Sequence, residues 1–185
     1  MSFPTLETAR LILRPPAAED FDAWAEFSAD AEAARFIGGP VHRAVAWRSM
    51  AASAGSWMLQ GFGIFSVIDK ASGAWLGRVG PIRPEGWPGT EVGWALVRDA
   101  QGKGIAFEAA TASIDFAFGE LGWSEVIHCI DDENAPSIAL ARRLGSVPLR
   151  RALLPPPIEE REIQVWGQAR EDWRQRRQQQ SGNRS

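Results

Sequence analysis

Residues 97–110 read Val97-Arg98-Asp99-Ala100-Gln101-Gly102-Lys103-Gly104-Ile105-Ala106-Phe107-Glu108-Ala109-Ala110. A strand-like run, Glu91 to Val97, leads into this stretch, and a helical pattern leads out of it. A basic loop with two glycines joins them. The first N–H groups of a helix lack intrahelical partners, and the helix dipole adds partial positive charge there. Glycines remove Cβ atoms, so a phosphate can approach the backbone closely. The same composition also suits a plain surface turn. Two well-known phosphate loops fail on specific residues. A Walker loop needs Gly, four residues, then Gly-Lys-Ser/Thr, but position 97 is Val and Gly104 follows Lys103. A dinucleotide fingerprint needs a third small residue where Phe107 stands. What survives is Gln101-x-x-Gly104-x-Ala106.

The rest of the chain sets this junction in a regular order. Arg10 to Arg14 reads as a strand stopped by Pro15-Pro16. Ala17 to Asp30 follows as a helix, with Phe21, Trp24 and Phe27 on one stripe and Glu19 and Asp20 in its first turn. Gly38-Gly39-Pro40 breaks the chain before a second helix, Ala44 to Leu59. Phe62 to Ile68 and Ala74 to Val79 form a hairpin around the turn residues 69–73. Glu91 to Val97 is the third strand of this group. Ile105 to Leu121 is the clearest helix, with Phe107, Ala110, Ile114, Ala117 and Leu121 on one face. A strand at Glu125 to Ile130 precedes a helix capped by Asn134 and closed by Gly145. Val147 to Leu154 and Glu162 to Trp166 are the last strands. This order predicts an α/β (α+β) fold with a mixed, mostly antiparallel central sheet of about seven strands.

The 185 residues suit one domain, and 45% hydrophobic content supplies an ordinary core. Twenty basic against 23 acidic residues give a formal charge of −3, which argues against a general nucleic-acid binder. A single cysteine, Cys129, excludes an internal disulfide and a multi-cysteine zinc site. His42 and His128 show no ligand spacing, so no metal is expected. No window approaches the roughly 18 apolar residues that cross a bilayer. MSFPTLETAR lacks the apolar core of a signal peptide, which predicts a cytoplasmic protein without a membrane partner.

Three motifs in order carry a resemblance. Thr8-Ala9-Arg10-Leu11-Ile12-Leu13-Arg14 opens the chain. Gln101 to Ala106 has the form Gln/Arg-x-x-Gly-x-Gly/Ala. Asn134 and Ser137 precede Ala141-Arg142-Arg143-Leu144-Gly145. Together they resemble the GNAT N-acetyltransferase superfamily, and most closely its RimJ/RimL-like branch, which acetylates ribosomal-protein N-termini. The resemblance covers about residues 5–173 and leaves 174–185 as a polar, basic tail, expected to be flexible. It implies a splayed central strand pair, helices on both sheet faces, and acetyl-CoA as co-substrate.

Residue by residue, the resemblance implies that the Trp94 N–H faces the acetyl carbonyl and that Leu96 and Val97 backbone groups hold the pantetheine arm. Gln101, Gly102, Lys103, Gly104, Ile105 and Ala106 form the pyrophosphate loop. Asn134 reaches the pantetheine, or serves as a plain N-cap, or both. Ser137 lies near the sulfur and is a candidate proton donor to the thiolate, though a first-turn hydroxyl is its plainer role.

Attack of an amine on a thioester needs an acceptor for the amine proton and polarisation of the carbonyl. Glu91 is the candidate base, with a solvated strand-end carboxylate as its bland alternative. Asp131, Asp132 and Glu133 are further carboxylates at the end of the neighbouring strand. The family's usual tyrosine acid falls on Ala141, and the chain has no tyrosine. His128 and Cys129, in an apolar strand, read as core.

Phe36, Trp47, Trp57, Trp75 and Trp87 suit either an aromatic acceptor cleft or simple core. The expected partner is a small-molecule or peptide amine. A homodimer is compatible with the sequence but not specified by it. The competing readings are a CoA- or metabolite-binding module without transferase activity, and a Trp-rich interaction domain. Binding of CoA without acetyl transfer would mark the first, and a large exposed apolar patch the second.

Overall fold

The computed structural model describes residues 3–156 and 162–182. Its elements are β1 (Leu6–Glu7), β2 (Leu11–Arg14), α1 (Phe21–Ala29), α2 (Ala31–Ala34), α3 (Arg43–Gln60), β3 (Phe65–Asp69), β4 (Trp75–Ile82), β5 (Glu91–Leu96), α4 (Ile105–Gly119), β6 (Glu125–Ile130), α5 (Ala135–Leu144), β7 (Val147–Leu153), β8 (Glu162–Ala169) and α6 (Arg170–Gly182). The strands are hydrogen-bonded in the order β1-β2-β3-β4-β5-β6-β8-β7. The registered pairs are antiparallel except β5 with β6, which is parallel. That ladder has one registered pair, Glu91 with Ile127, although both strands are six residues long.

Among the described residues, eight strands stand where about seven were expected. The addition is β1, whose two residues are too few to show a periodicity. The helix expected over 17–30 ends at Ala29, because Asp30 turns to cap α2 and accepts from the Glu32 and Ala33 N–H groups. His42 does the same for α3, its Nδ1 accepting from the Ala44 N–H at 3.1 Å.

The chain packs as two compact units. One comprises residues 1–82 and 93–113, the other residues 83–92 and 114–185. In the first, two residues of the stripe read from the sequence are buried and Phe21 is partly so: Trp24 and Phe27 of α1 pack with Ala46 and Met50 of α3, and with Ile64 and Trp75. Asp20 is buried at its edge. Arg14 donates to both of its carboxylate oxygens at 2.8 and 2.9 Å, and Ser66 Oγ donates at 2.6 Å. In the second unit, Ile127, Ile163 and Val165 form the centre, with Cys129, Ala152 and Leu154 against them.

Residues 174–182, expected as tail, continue the helix α6. Trp173 holds it: the ring is 4% exposed and its Nε1–H donates to Asp115 Oδ1 at 2.7 Å. Arg177 reaches the other oxygen of the same carboxylate at 2.9 Å.

Candidate active site

Within the first unit, β5 delivers the chain to the loop. Val97 donates its N–H to Leu76 O and accepts from the Ala100 N–H, so both of its backbone groups are engaged inside the protein. The Leu96 carbonyl accepts from Gln101 Nε2 at 3.0 Å. Gln101 therefore acts here as a clamp that folds the loop back on the strand end.

Gly102 and Gly104 have φ of +71° and +77°, a region L residues rarely adopt. A Cβ on Gly102 would meet nothing within 4 Å, and one on Gly104 only Arg10 Nη2 at 3.5 Å. The space over the loop backbone is open. Among the described residues, no main-chain acceptor takes the N–H groups of Gly102, Lys103, Gly104, Ile105 or Ala106. The start of α4 thus presents a row of oriented donors with a positive dipole end behind them.

A network that the sequence reading did not assign fixes this row. Arg10 Nη1 donates to the Lys103 carbonyl at 3.0 Å, and Arg10 Nε donates to Glu108 Oε2 at 2.7 Å. Thr8 Oγ1 and the Arg10 N–H donate to Glu108 Oε1 at 2.6 and 2.9 Å. Burial opposes ionisation of Glu108, yet these bonds hold its carboxyl below the usual carboxylate range. The sequence signal for this brace is the opening Thr8-x-Arg10.

Within the second unit, Glu91 is not the solvated strand-end carboxylate of the bland reading. It is 6% exposed. Trp87 Nε1–H donates to Oε2 at 2.6 Å, and the Cys129 N–H donates to Oε1 at 3.3 Å. Burial pushes the carboxyl pKa up, and the bonds from Cys129 and Trp87 offset part of that rise. Burial and the adjacent Glu91 push the Cys129 thiol up as well, which disfavours the thiolate that a nucleophile needs.

His128 is core, as its strand position suggested. Its ring is 1% exposed, with Nδ1 2.7 Å from the Val92 carbonyl and Nε2 3.0 Å from Ser146 Oγ. Burial lowers its pKa to about 4. Asn134 caps α5, its Oδ1 accepting from the Ser137 N–H at 3.2 Å. Of the other acidic residues at the end of β6, Asp132 pairs with Arg151 at 2.7 Å and Asp131 Oδ1 accepts from the Glu133 N–H. Among the described residues, no cluster of histidine, cysteine and carboxylate side chains could hold a metal. No described helix is long and apolar enough to cross a membrane.

The acetyltransferase (GNAT) domain profile matches residues 10–147. The chain belongs to the GNAT acetyltransferase family. An N-acetyltransferase of Bacillus licheniformis, p20, itself uncharacterised, is 32% identical over 144 residues, 76% of this chain and 81% of that one. The crystal structure of an acetyltransferase from Agrobacterium tumefaciens is 30% identical, with a TM-score of 0.80 over 92% of this chain and 96% of that one. RimJ of Mycobacterium smegmatis, solved in complex with CoA-disulfide, shares the fold at 18% identity and a TM-score of 0.68, over 88% and 83% of the two chains. The GNAT chain described here is accordingly an acetyltransferase that uses acetyl-CoA.

Proposed function

We propose that this GNAT enzyme moves the acetyl group of acetyl-CoA to a primary amine by direct attack, and that Glu91 is the base. The observation that carries the reading is the buried Glu91 carboxyl, raised in pKa and aimed by Trp87 and Cys129. A raised carboxylate pKa brings a base closer to the pH at which it must hold a proton.

The amine nitrogen attacks the thioester carbonyl carbon, and its proton passes to Glu91 directly or through water. The carbon–sulfur bond then breaks and CoA leaves as its thiolate. Ser137 or water returns a proton to the sulfur. A thiolate is a good leaving group, so the missing tyrosine costs little. The pyrophosphate rests on the amides of Gly102 to Ala106, with Lys103 adding charge. The Trp94 N–H polarises the acetyl carbonyl, Leu96 and Asn134 hold the pantetheine, and Val97 anchors the strand end.

The opening motif and the Asn134–Ser137 motif favour the RimJ/RimL-like branch, and fold neighbours such as the RimJ of Mycobacterium smegmatis support it. Residues 5–173 then form the catalytic domain, working in the cytoplasm on a peptide N-terminus or a small amine.

The test is CoA release with a broad panel of amines, followed by Glu91→Gln on the best acceptor. Wild-type kcat/KM should rise with pH along a limb set by Glu91. Glu91→Gln should lose that limb and about 100-fold in kcat. An unchanged rate across pH removes Glu91 from the mechanism, and CoA binding without transfer to any amine removes the transferase reading.

A further inference from the structure

The loop over residues 83–90 joins β4 to β5 and lies within the second unit. Its far end is fixed. Thr90 Oγ1 donates to the Glu125 carbonyl at 2.6 Å, and the Thr90 carbonyl accepts from the Ile127 N–H at 2.9 Å. Residues 83–86 are exposed and 87–90 half-buried. Among the described residues, two hydrogen bonds tie residues 84–88 to the strands. Trp87 Nε1–H donates to Glu91 Oε2 at 2.6 Å, and Arg150 Nη2, from β7, donates to the Pro88 carbonyl at 2.8 Å. Adjacent loop residues thus join the buried carboxyl to an exposed guanidinium. The sheet keeps both ends on one face: Cys129, whose N–H meets Glu91, pairs with Val165, and Val165 pairs with Arg150.

A general base must come within hydrogen-bond reach of the proton it removes, directly or through one water. Glu91 is 6% exposed, and its two oxygens accept from Trp87 and from Cys129. The Cys129 N–H is main chain of β6 and stays with the sheet. The Trp87 bond comes from a loop and is the one a substrate can displace. We propose that Trp87-Pro88 is a lid over Glu91, and that Arg150 is the positioning residue that latches it. The lid lifts to admit the amine, and on closing the indole N–H returns to the carboxyl. This inference rests on the reading of Glu91 as the base.

Cys129 is the sole cysteine, so one thiol reports on the lid. Burial and the adjacent Glu91 hold its pKa up, and the charge of Arg150 offsets part of that rise. Labelling by N-ethylmaleimide should be slow in wild type. Arg150→Gln should speed it at least about tenfold, the effect of removing one charge-assisted bond from the closed state. Arg150→Lys, which keeps the charge but loses the fork, should fall between. An arginine acting only through its charge predicts the opposite sign, because its loss raises the thiol pKa and slows the reaction. Dilute urea separates a lid from general loosening: labelling through local opening stays flat, whereas labelling through global unfolding climbs.

In turnover, Arg150→Gln should raise kcat/KM for the bulkiest accepted amine relative to the smallest by about threefold or more. The labelling arm needs no acceptor and still decides the lid if no amine is acetylated, so failure of the transferase reading and failure of this one are separable. Unchanged or slower labelling of Arg150→Gln, labelling of that variant that climbs in dilute urea, or an unchanged ratio of bulky to small amines overturns the proposal.

Discussion

His128 shows how one side chain can be legible in type but not in network. An imidazole in an apolar strand reads as core, and it is. Its partners come from distant positions that no local pattern links. With the Val92 carbonyl as acceptor, Nδ1 carries the proton and Nε2 accepts from Ser146, whose oxygen accepts in turn from Gln168 Nε2 at 3.0 Å. The buried ring stays neutral, with its pKa near 4 rather than 6.5. Below pH 6.5 the unfolded chain binds a proton that the folded chain refuses, so stability falls as pH drops from 6.5 toward 4, by up to about 3 kcal/mol. Urea midpoints at pH 7 and pH 5 should show this slope, and His128→Gln should flatten it. Glu91 is the contrary case. Sequence reasoning chose it for its chemistry. Trp87, four residues earlier, and Cys129, across a parallel pair, supply the burial and aim that a single strand cannot reveal.

Among the elements, the junction of β5 and α4 was the most readable, because glycines, a strand pattern and a helix pattern coincide within about fifteen residues. What could not be read was its brace. Arg10 and Glu108 are nearly a hundred positions apart, and their pairing depends on β2 folding back beside the loop within the same unit. Arg10→Ala should free the Lys103 carbonyl and leave Glu108 without its guanidinium. Acetyl-CoA should then bind about tenfold more weakly although no proposed phosphate contact is touched. Titration calorimetry reads this directly, and unchanged affinity means that the loop keeps its shape unaided. Helix α6 was missed for the opposite reason. Its sequence is almost wholly polar, and one aromatic residue, Trp173, decides its place.

For the molecule as a whole, the element order was legible, whereas the division into two compact units was not. The cut falls inside β5 and inside α4, where the sequence is continuous and regular. Within the second unit, Trp173 anchors α6 through its buried ring and its bond to Asp115. Trp173→Ala should cost about 3–5 kcal/mol in chemical unfolding, and Trp173→Phe clearly less. Equal losses would assign the anchoring to the Asp115 bond rather than to the ring's bulk.

Nine tryptophans and no tyrosine make the chain's near-ultraviolet emission wholly indole in character. One of those indoles, Trp87, donates its N–H to the carboxyl proposed as the base. Light emitted by that ring is therefore coupled to the charge on Glu91. The difference in emission between wild type and Trp87→Phe, followed through a pH titration, becomes an optical record of the base gaining and losing its proton, obtainable before any acceptor has been identified.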